Sequence, residues 1–256
     1  MRITKIEDLH AKGRGKEYSF LKVSTDDGLV GWSEFSEMNW NPGLGEVIRK
    51  LGEHLIGRDP RAFGLNSGLL YTLTRMSTGG LIQQAIAAIE NACVDIAAKA
   101  ANAPVYRLFG GPYRQKIDLY WSHCGSAQVR NPQAFQDMLG MAPITRVEDF
   151  EALGREVIAR GFRACKTNIV LFEGGPPRMI NSGFQPGFDL GHNADTHLIG
   201  IVDAQLAAFR AGLGPEAGLH LDVNFAFRPE ALRRIARACE RHNVSWLEAD
   251  IHNPQA

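Results

Sequence analysis

Residues 218–227 read GLHLDVNFAF, a run built like a buried strand that carries an aspartate and an asparagine at its end. Strand side chains alternate faces, so Leu219, Leu221 and Val223 share one side, with His220, Asp222 and Asn224 on the other. Asp222 and Asn224 therefore point the same way.

The same grammar repeats on both sides of this run. Before it come IDLYWSHCG (117–125), a helical pattern over 147–160, RACKTNIVLF (163–172) and a helical pattern over 195–211; after it come a helical pattern over 229–242 and VSWLEAD (244–250). Strands alternating with helices predict parallel strands joined by crossover helices. Three of the four strands end in polar residues at alternate positions: Lys166 with Asn168, Asp222 with Asn224, and Glu248 with Asp250. Ligands of α/β sheets and barrels gather at the carboxyl ends of the strands, so these groups are expected to converge. The stretch 173–193 is longer than a usual strand-to-helix connection and reads as a functional or mobile loop.

The first part of the chain has a different character. ITKIEDLHA (3–11), YSFLKVSTDDG (18–28) and LVGWSEFSE (29–37) read as a three-stranded antiparallel meander with Asp27-Gly28 at the second turn. Past the Pro42-Gly43 breaker, EVIRKLGEHLIG (46–57) and the stretch 81–101 read as helices, the second repeating Ile82, Ile86, Ile89, Cys93 and Ile96 at three or four residues. Pro104 and Gly110-Gly111 close this region, predicting domains at 1–115 and 116–256.

Composition bounds the partners. With 256 residues, 45% hydrophobic, 22% charged and a net charge of +0, the chain reads as globular, with no electrostatic footprint for nucleic acid or an anionic membrane. No stretch reads as the roughly 20 apolar residues of a membrane span. Cys93, Cys124, Cys165 and Cys239 lack metal or redox spacing and read as reduced packing residues, and MRITKIEDLH lacks a secretory apolar core, so a cytoplasmic setting is expected.

Two carboxylates with an amide nearby form a hard oxygen donor set suited to Mg2+. The competing reading makes Asp222 a helix cap and Glu248 an exposed strand end. A paired-carboxylate glycosidase is a further alternative, against which the lysine in the set argues. Lys166 is a proton-transfer group if burial and a neighbouring cation lower its pKa, or the ion-pair partner of Asp222 or Glu248. His123, ending the first of the four strands, would reach the same mouth, although a lone histidine is more commonly structural.

At these residues the sequence resembles the enolase superfamily, in its mandelate racemase and muconate lactonizing enzyme branch. YSFLKVSTDDGLVGWSE is similar to the capping-domain meander, and AAIENACVDIAAKAANAPVYRLFGG (87–111) to the helix and turn leading into the barrel. GFRACKTNI resembles the second-strand KxK segment, LHLDVNFAF the third-strand metal aspartate, and VSWLEAD the fourth-strand metal glutamate. The resemblance implies an α+β capping domain followed by a (β/α)8 TIM-type barrel of which about the first half is present. It implies Asp222 and Glu248 as Mg2+ ligands, Lys166 and Asn168 at the catalytic second-strand positions, and Asn224 beside the substrate. It also implies loops 12–17 and 37–41 closing over the barrel mouth, with Asn39 or Trp40 near substrate.

The implied chemistry is abstraction of the proton alpha to a carboxylate, by a lyase or isomerase. Two departures shape it. Asn168 stands where the pattern usually has a second lysine acting as base, so Lys166 is left to neutralise the substrate carboxylate or assist the metal. That favours dehydration of a sugar acid, where one histidine serves as base and then acid, over a racemase or epimerase. A complete barrel takes about 200–250 residues, and four strand-helix units are in view. The third metal carboxylate and the Asp-His pair, which the resemblance places on the fifth to seventh strands, are outside this sequence. The expectation is an N-terminal fragment or truncated product, weak in Mg2+ binding and turnover unless completed, or else a non-catalytic remnant. Complete family members often form homo-oligomers.

Overall fold

The alternation in YSFLKVST places Leu21 and Val23 at full burial on one face of a strand, and an antiparallel sheet forms around it. In the computed structural model, which describes residues 1–13, 17–37, 41–180 and 192–250, β1 (Ile3–Lys12), β2 (Glu17–Thr25) and β3 (Val30–Phe35) make that meander in sequence order. Thr25 N donates to Leu29 O across the β2–β3 turn, where Gly28 takes a φ of 87° that other residues rarely adopt. Asn39 and Trp40 lie outside the described residues.

The chain divides into two compact units, Met1–Gln115 and Lys116–Ala256. In the first, α1 (Leu44–Glu53), α2 (Phe63–Leu73), α3 (Gly80–Ala100) and α4 (Val105–Leu108) follow the sheet. The three- to four-residue repeat of α3 buries Ile86, Ile89, Cys93 and Ile96 with Leu21, Val23, Ile48 and Leu55 in one core. By length and composition α3 also qualifies as a membrane span, which the sequence reading did not anticipate; its apolar residues are instead spent on this core. At Gly31 a Cβ would overlap the Ala92 carbonyl, so only glycine lets β3 approach α3 this closely.

The second unit comprises α5 (Ser126–Arg130), α6 (Pro132–Leu139), α7 (Asp149–Ala159), β4 (Ala164–Thr167), β5 (Val170–Leu171), β6 (Arg178–Met179), α8 (Thr196–Leu213), β7 (Gly218–Asp222), α9 (Pro229–Arg241) and β8 (Trp246–Glu248). The strands β4, β7 and β8 form a parallel sheet in that order, with a crossover helix between each pair. Its helix-facing side supplies Cys165, Leu219, Leu221 and Val223 to a core with Val157, Phe209 and Ile235; Phe150 stacks on Phe209 at 4.7 Å.

Three expectations are corrected here. The strand expected over 117–125 is reduced to a single parallel bridge, Trp121 to Cys165, with Trp121 N donating to Ala164 O and Lys166 N to Trp121 O. Ile117 and Leu119 stay exposed, without the burial that would extend the ladder. The strand expected over 163–172 breaks after Thr167 because a buried side chain replaces the ladder: Gln205 of α8 accepts from Val170 N at 3.0 Å and donates to Asn168 O at 2.8 Å. The loop expected over 173–193 carries β6, paired antiparallel with β5; residues 181–191 lie outside the described residues.

Candidate active site

Parallel register decides which side chains meet. Lys166 stands opposite His220, which stands opposite Trp246, and one pair further along Asp222 stands opposite Glu248. All five share the face turned away from the helices, as the alternation required. The flexible stem of Lys166 carries its ammonium forward to the carboxylates, 2.7 Å from Glu248 Oε2 and 3.3 Å from Asp222 Oδ2. Lys166 and Asp222 are buried, whereas Glu248 remains partly open to solvent.

Burial alone would depress the Lys166 pKa, yet the hydrogen bond it donates to Glu248 and the charges of Asp222 and Glu248 outweigh it and raise the pKa. Lys166 is thus a fixed ammonium, the ion-pair partner among the two readings of its sequence. Asp222 caps no helix: its Oδ1 accepts from Asn224 N at 3.0 Å and from Asn224 Nδ2, while α9 begins only at Pro229. Asn224 takes a φ of 48°, a conformation asparagine tolerates better than most residues, and the turn holds the Asp222 carboxylate in place.

Asn168 is anchored on every side. Its Nδ2 donates to Asp222 O at 2.9 Å, and its Oδ1 accepts from Ser126 Oγ at 2.7 Å and lies 3.0 Å from His123 Nδ1. An amide so engaged positions its neighbours and takes up no proton. Below the charged layer, the His220 ring stacks on Trp246 at 4.2 Å and meets Tyr120 edge-on at 5.6 Å. Burial lowers the His220 pKa, and the Lys166 charge adds to the effect.

One of the polar strand-end residues, Asp250, was assigned no role by its sequence. Asp250 donates its N–H to Asn224 O at 3.0 Å, and burial, with the charges of Asp222 and Glu248, raises the pKa of its carboxyl against the opposing charge of Lys166. The two-residue alternation that selects Glu248 also selects Asp250. Gln205, which stitches β4 to β5, had no signal short of the fold itself.

The donor set suits a hard divalent cation. Two carboxylates on neighbouring strands already converge on one positive charge, with the Asn224 amide held against Asp222. Among the described residues, no cluster of three His, Cys, Asp or Glu groups forms a complete cage.

Comparison with known proteins places this geometry in context. A family model described as the mandelate racemase / muconate lactonizing enzyme N-terminal domain matches residues 10–110. A D-galactonate dehydratase of Klebsiella pneumoniae (strain 342) is 37% identical over 120 residues, which are 47% of this chain and 31% of the dehydratase. A crystal structure of a protein described as an L-alanine-DL-glutamate epimerase from Burkholderia xenovorans strain LB400 superposes with a TM-score of 0.89 at 35% identity, covering 100% of this chain and 64% of its own. The same protein bound to magnesium and fumarate gives a TM-score of 0.91, again at 35% identity, covering 99% and 62%. This chain thus spans about a third of the curated dehydratase and less than two thirds of the solved relative.

Proposed function

Because this chain belongs to the mandelate racemase and muconate lactonizing enzyme branch of the enolase superfamily, we propose that it is part of a Mg2+-dependent, cytoplasmic sugar-acid dehydratase. The observation that carries this reading is the convergence of Asp222 and Glu248 on one cationic point at the sheet's carboxyl end. Asp222 and Glu248 would hold the cation, with Asn224 orienting the first of them and contacting substrate. Bound there, the cation would supply a fixed positive charge for the negative charge that develops on the substrate carboxylate.

Two further strand-end residues support this site. Lys166, whose ammonium lies beside both carboxylates, offers a second positive charge to the same substrate carboxylate. Asn168 ties the end of β4 to His123, to Ser126 and to the Asp222 backbone, and takes no proton. Epimerisation needs a proton carrier on each face of the carbon, so an amide at the second-strand position supports dehydration over the epimerase reading that the solved relative's description suggests.

The test is turnover of a panel of sugar acids by the complete protein with and without Mg2+, read beside Asp222→Ala and Glu248→Ala. Loss of Mg2+-dependent turnover in both variants is expected. Retained activity in either would remove that residue from the metal site.

A further inference from the structure

The helix α8 carries two interior glycines, and the described residues explain only one of them. At Gly212 a Cβ would overlap the Glu151 carbonyl of α7, whereas at Gly200 a Cβ meets no described atom within 4 Å. Glycine inside a helix costs stability relative to alanine, so Gly200 marks space rather than contact. It lines a cavity of about 630 Å³ that lies wholly within the second unit and shares no residue with Lys166, Asp222 and Glu248. That volume falls within the roughly 300–1,000 Å³ of small-molecule sites. We propose that this cavity binds a small zwitterion with an apolar body, of the kind of an α-amino acid with a bulky apolar side chain.

The wall suits the apolar body. Val147, Phe172 and Ile201 line the cavity and are themselves partly buried against the core of the second unit. Phe172 meets Phe150 edge-on at 5.8 Å, and Phe150 stacks on Phe209 at 4.7 Å, so the ring is backed by the core. On α8, His197, Gly200, Ile201 and Ala204 recur at three or four residues, which places one helix face along the cavity. Pockets of this type hold a ligand by apolar surface and orient it with a few polar groups.

The remaining lining supplies those groups in both signs. His197 Nε2 lies 2.8 Å from Glu173 Oε2, and the hydrogen bond between them raises the His197 pKa and favours its charged form. Arg146, with Glu148 beside it at 4.0 Å, adds a second pair of opposite charges. An anion alone meets Glu148 and Glu173 as like charges, and a cation alone meets Arg146 and His197. A zwitterion finds a partner for each end. At 64% and 63% side-chain exposure, His197 and Glu173 form a pair worth little by itself, so a ligand inserts into it at small cost.

Amide chemical-shift titration of the intact chain tests this with three probes that share one body: L-phenylalanine, phenethylamine, which lacks the carboxylate, and 3-phenylpropionate, which lacks the ammonium. Saturable shifts at Val147, Phe172 and Ile201 are expected with L-phenylalanine, and binding of the two analogues is expected to be about fivefold weaker, the scale of an exposed charge pair. Gly200→Leu puts a side chain into the cavity and is expected to abolish the L-phenylalanine shifts. Gly200→Ala is expected to raise the thermal midpoint, because no described neighbour requires the glycine. Glu173→Gln, a change at an exposed position, is expected to remove the advantage of L-phenylalanine over 3-phenylpropionate and stands as the test if Gly200→Leu does not fold. Absence of saturable shifts with L-phenylalanine, affinity no greater than that of either analogue, or binding that survives Gly200→Leu would each overturn the proposal.

Discussion

With a side chain only 9% exposed and an ammonium shared between Asp222 and Glu248, Lys166 is the residue whose removal most disturbs the charge balance of the strand ends. Lys166→Met leaves two carboxylates facing each other without a counter-charge. Breaking a buried pair in this way costs about 3 kcal/mol, the low end of the range, because Glu248 keeps 38% of its side chain in solvent. The sign with pH follows from the raised pKa: the contribution of Lys166 is fully present below its unfolded value near 10.4 and is lost as pH rises through the higher folded value. Unfolding free energies of parent and variant from urea titrations at neutral pH are expected to differ by that amount, and millimolar Mg2+ is expected to recover part of the loss in the variant. Equal free energies would mean that the ammonium contributes nothing net. This triad was legible in sequence because period-two alternation and parallel register are both local rules. The contact between His123 and Asn168 was not, since it depends on a positive φ and joins residues 45 apart.

Among the elements, those with a clean period were the readable ones. The helix α3 and the strands β2 and β7 followed from spacing, whereas α2 did not: FGLNSGLLYTL is apolar nearly all round, with glycines at 64 and 68, and shows no stripe to read. Helices α5 and α6 were hidden by their shortness. The start of α7 carries a side-chain brace that sequence marks only weakly. There, burial would raise the Asp149 pKa, but bonds from Thr145 N at 2.8 Å and Arg146 N at 3.1 Å outweigh it and hold the carboxyl below its usual range. That stability is present above the unfolded pKa near 3.9 and lost as pH falls through the lower folded value. Asp149→Asn should therefore be less stable than the parent at neutral pH by about 1 kcal/mol, the usual net worth of a hydrogen bond. The gap should close in acid; one that stays constant down to pH 2 would show that the charge is irrelevant. In the same unit Gly212→Ala would drive a Cβ into the Glu151 carbonyl, and a lowered thermal midpoint is expected from the forced separation of α7 and α8.

At the scale of the whole chain, two separate cores imply two separable folding units. The first has a closed accounting: its sheet is covered by α1 and α3, and Leu21, Val23, Ile48, Ile89 and Ile96 are buried within it. The second keeps Lys166, Asp222 and Glu248 on the sheet face that no described helix covers, so part of its stability rests on how those charges are met. Residues 1–115 expressed alone are accordingly expected to unfold cooperatively, because a domain with its own core folds as a unit. Amide exchange on this piece should reproduce the protection of α3 and β2 seen in the intact chain. Within the intact chain, added Mg2+ should slow exchange at β7 and β8 while leaving β2 and α3 unchanged. Uniform slowing across both units would instead mean that the two cores unfold together. Unprotected amides in the isolated piece would mean that the meander and its helices depend on the second unit. Either result would replace the picture of two independent cores with that of a single cooperative one.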